Sequence, residues 1–481
     1  MSSSCAGGSS GSGSFFGSGS RSSQSRLSRR FFRKPSSTRV PRLSPSRLSS
    51  SLGGSSLGSS LGNLATASVT ASMLSSATQY CLGLFGGLAT AAIYQQRTRT
   101  GAPELLWKST PFNDAIISRC PSLRRVFSPP WFMPNEHFET VLAAKLRSVP
   151  GVSYRREILP VSDDGGVVAL DWAQGVSTVS NAVQSTPPAC AAPPAEVDAP
   201  ICVLLPGLTG GSGDSYVNHM VNHLVCAGYR VVVFNSRGTA SSPVNTPQFY
   251  SASFTKDLER VVSHVKQSPG CENSPMFAIG WSLGANILLN YLGRAESGTP
   301  IDAAVSLCNP FDLSYCNKAL KKGFARVYDR NLAQSIAQIF KSNEDVFRRS
   351  PDIDVDAALA SATIEDFDRA VTAPTFGFES VSAYYAGSAS ADAVPGIKTP
   401  TLCIQAQDDP IAPGCAIPRE RLRENENTIL CVTPAGGHLG WASAEDPFGA
   451  PWVDVAVIEY LRAVELKLRR KESVLANANA M

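Results

Sequence analysis

The sequence predicts an α/β fold, a mostly parallel sheet with helices on both faces and a helical cap insertion, from three observations. Apolar runs rich in Val and Ile (Ile201–Leu205, Tyr229–Phe234, Met276–Ile279, Ile301–Leu307) are interleaved with the helical stretches Asp214–Ala227 and Thr255–Lys266. That alternation is what a parallel sheet covered on both faces requires. Gly280-Trp281-Ser282-Leu283-Gly284 lies between the third run and the helix former Ala285–Leu292. In this strand–turn–helix setting, a G-x-S-x-G turn lifts its serine oxygen above the sheet. Between Asn309 and about Val394 the alternation stops, and Leu332, Ile336, Ile339 and Phe340 recur on one helical face.

Taken in order, the elements divide the chain as follows. Residues 1–95 are a low-complexity Ser/Gly/Arg-rich leader, with arginines among serines and no acidic residue before Glu104. Within it, residues 64–94 are uncharged and bracket Tyr80 and Tyr94, which suits a membrane anchor. The expected location is therefore membrane-associated through a single N-terminal span. The alternative is delivery to a plastid or mitochondrion, because an acid-free Ser/Arg leader is also how transit peptides read. Residues 96–470 form the catalytic domain, with 173–199 as a flexible Pro/Ala/Ser-rich insertion, 310–394 as the cap and 471–481 as a tail. The helix over Asp214–Ala227 stops at Gly228. Because the leader lacks the strand–helix alternation, a chain beginning near Gly101 is expected to keep its fold and activity.

A lone G-x-S-x-G is weak evidence. Ser9, Ser56 and Ser60 also fit the pattern but follow no strand. Ser282 is distinguished by its partners. A serine nucleophile needs a base, and where the order is Ser, acid, His, only His438 of the five histidines follows it. His438 sits in Gly436-Gly437-His438-Leu439-Gly440, after the apolar run Ile429–Val432. The acid belongs in the turn after the buried run Pro400–Ala406, where Asp408 and Asp409 compete. The spacing Ala406, Asp409, Pro413 resembles that of hydrolases built on such a serine turn, a small residue, two variable ones, the acid and a proline four later; the resemblance favours Asp409 and leaves Asp408 to bond its own turn backbone. The oxyanion hole calls for the N–H of Leu283, just after the nucleophile, and a second N–H from the loop after an earlier strand. Leu208, in Pro206-Gly207-Leu208-Thr209-Gly210-Gly211, is that candidate. The glycine-rich loop is not a phosphate loop, since no Gly-Lys-Ser/Thr follows.

Together, Leu205–Ser212, Phe234-Asn235-Ser236-Arg237-Gly238, the Ser282 turn, Asp408-Asp409-Pro410 and Gly436-Gly437-His438 resemble one branch of the α/β-hydrolases. That branch holds animal membrane-anchored phospholipase-type abhydrolases, yeast medium-chain ethyl-ester synthase/esterases and plant embryogenesis-associated proteins. Asp164-Gly165-Gly166, Leu170-Asp171-Trp172, and Phe376-Gly377-Phe378 before Tyr384-Tyr385 look like it too. The likeness spans about residues 105 to 465. It implies the α/β-hydrolase fold, a Ser282–Asp409–His438 triad in which the second aspartate is the acid, and activity on acyl esters of lipids. The 173–199 insertion and the long leader depart from the pattern.

Composition narrows the partners. A net charge of +4 argues against nucleic acid. The twelve cysteines are scattered without a C-x-x-C and fall largely in apolar runs, which reads as reduced thiols in an intracellular compartment. His219 and His223 lack the glutamate of H-E-x-x-H, so no metal and no cofactor is expected. The reading is a serine esterase or lipase acting on short- or medium-chain acyl lipids or small esters through an acyl-enzyme, with a membrane surface as its partner. One alternative is an alcohol O-acyltransferase using the same triad, although the acyltransferase pattern of His followed five residues later by Asp is missing: Ser443 holds that place. The other is a non-catalytic binding protein on the same fold.

Overall fold

The computed structural model describes residues 97–163, 165–177, 190–193 and 198–479. The leader, the anchor expected at 64–94 and most of the 173–199 insertion lie outside the described residues.

Among the described residues, ten strands form one sheet. Across it run β1 (Glu104–Trp107), β10 (Thr428–Thr433), β9 (Thr401–Ala406), β8 (Ala303–Leu307), β7 (Met276–Trp281), β5 (Ile201–Leu205), β6 (Arg230–Asn235), β3 (Val167–Ser177) and β2 (Gly151–Pro160), with β4 (Cys190–Ala191) on β3. The six strands from β10 to β6 are parallel. β1 and the β6–β3–β2 flank pair antiparallel. Every residue of β5 to β10 is buried, which is why these strands read as continuous apolar runs rather than as alternating ones.

Helices α1 (Pro111–Ser118), α2 (Glu136–Lys145), α3 (Ser215–Cys226), α4 (Lys256–Gln267) and α5 (Leu283–Ala295) precede the cap. On one face of the sheet, α3 packs Val217, Met220, Val221 and Leu224 into a core shared with the C-terminal helix. On the other, α4 and α5 contribute Leu258, Val261, Val262, Val265, Leu288, Leu289 and Leu292. The α3 stop is as expected: Gly228 takes φ +90 just past its end. The chain moves outward from β5 to β6 and returns as β7 on the other side of β5. The C-terminal ends of β5 and β7 therefore flank a topological switch point, where open α/β sheets place their sites.

The cap is helical, with α6 (Leu313–Leu320), α7 (Ala325–Lys341) and α8 (Val381–Gly387) as its longest described helices. The apolar face of α7 turns inward at Ile336 and Phe340. They pack with Phe249, Phe347 and Phe367 into the cap's own core, with Phe340 and Phe347 rings stacked at 4.4 Å. Ile339 is half-buried and packs on that core alongside Leu208 and Leu283.

Two boundaries move. β3 continues through Ser177 and the chain pairs again at β4, so the insertion starts later than residue 173. The helix α9 (Arg419–Glu424) precedes β10, and α10 (Trp452–Asn479) runs through the region expected as a tail. Eight cysteines are free among the described residues, but Cys226 at the end of α3 is disulfide-bonded, which departs from the all-reduced reading.

Candidate active site

The site is built on the turn that joins β7 to α5. Ser282 sits at φ 51, ψ −120, a conformation disfavoured for a residue with a Cβ. The flanking glycines make room for it. A Cβ on Gly280 would lie 2.7 Å from the Ala285 backbone, and one on Gly284 would overlap the carbonyls of Leu205 and Pro206. The Ser282 N–H donates to Leu307 O at 2.9 Å, which fixes the turn against β8.

Above the sheet the three predicted residues meet. Ser282 Oγ is 3.0 Å from His438 Nε2, and His438 Nδ1 is 2.8 Å from Asp409 Oδ2. Asp409 and His438 are only 4% and 6% exposed, whereas Ser282 is half-buried. The second oxygen of Asp409 accepts N–H bonds from Ile411 and Ala412, each at 2.8 Å. Those bonds fix the carboxylate so that its other oxygen faces the imidazole. In this arrangement Nδ1–H donates to Asp409 and Nε2 is left to accept from the serine hydroxyl.

The β5 loop supplies the rest. Gly207 N–H donates to Tyr216 Oη and Thr209 N–H to Tyr250 Oη, both at 3.0 Å. Thr209 is held at φ 59. The amides on either side of Leu208 are thus committed, and none of the hydrogen bonds among the described residues uses the N–H of Leu208. Leu283 is the first residue of α5, so its N–H has no partner within the helix. These are the two donors the sequence nominated, one on each side of the switch point.

Asp408 does more than the sequence suggested. Rather than bonding only its own turn, it accepts Gly437 N–H at 3.0 Å on one oxygen and Arg99 Nη2 at 2.9 Å on the other. Burial raises its pKa, with Arg99 opposing. The loop bearing His438 is held further by residues that sequence reasoning missed. Thr140 Oγ1 accepts the His438 N–H at 2.9 Å, and Arg147 donates to the carbonyls of Leu439 (2.9 Å) and Gly440. Arg99 also bonds Glu139, whose carboxyl burial pushes up to about 7. Arg99, Glu139, Thr140 and Arg147 lie on and around α2, some 300 residues from the loop they hold, and none belongs to a recognisable motif.

The remaining motif residues have structural roles. Arg237 makes a two-pronged pair with Asp257 at 2.8 Å, both buried. Asp171 bonds Arg156, Ser212 and Asn235. His219 donates from Nε2 to Ser148 O at 2.8 Å, and among the described residues no His/Cys/Asp/Glu cluster suits a metal.

Comparison with known proteins places this geometry. Residues 200–441 match the alpha/beta hydrolase fold family. The chain is 45% identical over 354 residues to embryogenesis-associated protein EMB8 of Picea glauca, covering 73% of this chain and 75% of that one. It is 31% identical over 386 residues to phospholipase ABHD3 of Mus musculus, covering 80% and 90%. It is 33% identical over 270 residues to a monoacylglycerol lipase of Saccharomyces cerevisiae, covering 55% and 59%. With its elbow, its switch-point site and these likenesses, the chain belongs to the α/β-hydrolase fold family.

Proposed function

We propose that the protein is a serine hydrolase that cleaves carboxylic esters of short- to medium-chain acyl lipids through a Ser282–His438–Asp409 triad. The observation that carries this is the unbroken chain from Ser282 Oγ through the imidazole to Asp409, at 3.0 and 2.8 Å. His438 Nε2 takes the proton of Ser282 Oγ as that oxygen bonds to the ester carbonyl carbon. The carbonyl electron pair moves onto oxygen, where the N–H groups of Leu208 and Leu283 receive it. Collapse expels the alcohol, which takes the proton from Nε2 and leaves an acyl-Ser282. Water then attacks, gives its proton to Nε2, and releases the carboxylic acid as Oγ is reprotonated. Asp409 stays ionised and stabilises the imidazolium. No step needs a cofactor.

Relatives named as a phospholipase and a monoacylglycerol lipase support the lipid-ester class. A relative 30% identical over 288 residues is named a medium-chain fatty acid ethyl ester synthase/esterase, which favours alcoholysis of the same acyl-enzyme as the second reading. The acyl partner is a lipid ester, and attachment to a membrane through residues 64–94 is part of this reading. The test is fluorophosphonate labelling together with turnover of p-nitrophenyl esters from acetyl to octanoyl. Ser282→Ala should lose both signals, on the order of 10⁶ in rate. Labelling that survives in the alanine variant would move the nucleophile elsewhere, and a preference for acetyl over octanoyl would exclude an extended acyl site.

A further inference from the structure

Helix α2 has two faces with different tasks. Its inner face carries Glu139 and Thr140, buried beside the His438 loop. Its outer face carries Phe138, which is 56% exposed, with Val141 and Lys145 following at helical spacing. Just before the helix, Trp131 is 78% exposed, and its ring meets Phe132, which stacks on the exposed Phe448 at 6.3 Å. On the cap side, His137 of α2 meets the exposed Phe324 at 4.9 Å. Taking roughly 200 Å² per aromatic side chain, these five rings expose on the order of 500 Å². That is near the upper end of what a soluble monomer shows, and such patches commonly mark a contact surface.

We infer that this aromatic face docks on an anionic phospholipid surface and opens the triad toward it. The inference rests on the lipid-ester reading above. Three observations favour lipid as the occupant. The segment from Leu313 to Tyr328, which bears Phe324, holds Lys318, Lys321, Lys322 and Arg326 and no acidic residue. Lys322 and Arg326 are exposed, as an anionic surface requires. Glu445, near Phe448, is paired with Arg125. The uncharged run Tyr80–Tyr94 ends three residues before Arg97, and Arg99 donates to Met133 O beside Trp131 and Phe132. The chain thus enters the domain at this patch. Finally, His137 is 3.1 Å from Tyr328 Oη, and Thr140, one turn along the same helix, accepts the His438 N–H at 2.9 Å. A bilayer under the face would therefore present esters next to the triad, with Trp and Phe rings suited to the interfacial layer.

The test uses the full chain and vesicles of diether phosphatidylcholine and phosphatidylglycerol with brominated chains, which the enzyme cannot hydrolyse. The fluorescence difference between wild type and Trp131→Phe isolates Trp131. That signal should be open to iodide in buffer, then quenched by bromine and blue-shifted when vesicles are added. Phe138→Glu/Phe324→Glu should abolish the quenching while leaving hydrolysis of a soluble p-nitrophenyl ester unchanged. Lys322→Glu/Arg326→Glu should remove the preference for phosphatidylglycerol. An iodide-shielded Trp131 before lipid is added would mean that the patch is covered by residues 1–96 or by a second copy, and would overturn the inference. Absence of bromine quenching, or equal quenching in neutral and anionic vesicles, would overturn it as well. Loss of soluble-ester turnover in the wild type would instead sink the hydrolase reading, since the quenching signal does not depend on turnover.

Discussion

The adjacent carboxylates Asp408 and Asp409 are expected to separate cleanly by mutation, although both bear on His438 and its loop. Asp409→Asn keeps the shape but offers the imidazole an N–H or a weaker acceptor, so the tautomer that leaves Nε2 free is no longer enforced. The same change in a serine-protease triad costs about 10⁴ in kcat, and a loss of that order is expected here, with KM little changed. Asp408→Asn keeps an oxygen for the Gly437 N–H but loses the charged bond to Arg99 (2.9 Å). A hydrogen bond to a charged group is worth about 1.5–3 kcal/mol, so the cost should fall mainly on stability. Residual loosening of the His438 loop should lower kcat by roughly tenfold, since 1.4 kcal/mol of misalignment suffices for that. The assay is kcat and KM on p-nitrophenyl butyrate, paired with urea unfolding midpoints. If Asp408→Asn loses as much kcat as Asp409→Asn with an unchanged midpoint, Asp408 is the triad acid and the assignment from geometry fails.

Three further outcomes follow from the packing. Gly284→Ala should destabilise the protein by roughly 1–3 kcal/mol and lower kcat, because the methyl meets the fixed carbonyls at the end of β5, next to Leu208; urea midpoints and kcat measure it, and a neutral outcome would contradict the elbow geometry. Phe340→Ala should cost about 3–5 kcal/mol through a cavity in the cap core, whereas Ile339→Ser should instead flatten the acyl-length dependence; the p-nitrophenyl series and unfolding midpoints distinguish the two. Burial, with Arg147 adding to it, lowers His219 to about 4 from its ordinary 6.5. Between those values the unfolded chain binds a proton that the native one does not, so stability falls as pH drops through that window. His219→Gln, which keeps a donor toward Ser148 O, should flatten the acid limb of the midpoint-versus-pH curve, and an unchanged limb would place the titrating group elsewhere.

What was legible in the sequence is what local chemistry dictates. β5 to β8 announce themselves because strands buried on both faces are apolar at most positions, with only Arg230, Asn235 and Ser306 as strongly polar members. Gly280 and Gly284 are readable because a turn this tight admits no Cβ. His438 was reachable by chain order alone. The cap face was only half legible, because helical spacing in α7 tells that one side is apolar but not which surface covers it: Ile336 and Phe340 are covered by Phe347 and Phe367. Asp408 was misjudged because a turn carboxylate looks the same whether its partner is its own backbone or an arginine more than 300 residues away. Thr140 and Arg147 carry no local signal. They act by donating to or accepting from backbone groups of the His438 loop, a task that any residue of suitable reach performs.

The same long-range contacts bear on where the chain can be cut: Arg99 lies inside the expected 96–470 domain, and a start near Gly101 removes it. Beginning the chain near Gly101 would remove Arg99, which is 8% exposed and bonds Met133 O, Glu139 and Asp408 at once. The buried Glu139 and the half-buried Asp408 would then remain around an empty cationic position. Breaking a buried pair by removing one partner costs about 3–5 kcal/mol, because the survivor is left uncompensated. Part of that cost can be escaped by protonating Glu139, whose carboxyl is already pushed up to about 7. A chain beginning at Gly101, and equally Arg99→Ala in the full chain, should therefore be weaker in urea and lower in kcat, and should recover in part as pH falls, since Glu139 without the arginine that holds its pKa down is protonated more readily than in the full chain. Arg99→Ala/Glu139→Gln should recover stability further and lose that pH response. A chain beginning at Arg97 retains the arginine and should match the full chain on soluble esters. If the Gly101 and Arg97 chains prove equally stable and active, Arg99 is dispensable and the hold on Asp408 contributes nothing to the His438 loop.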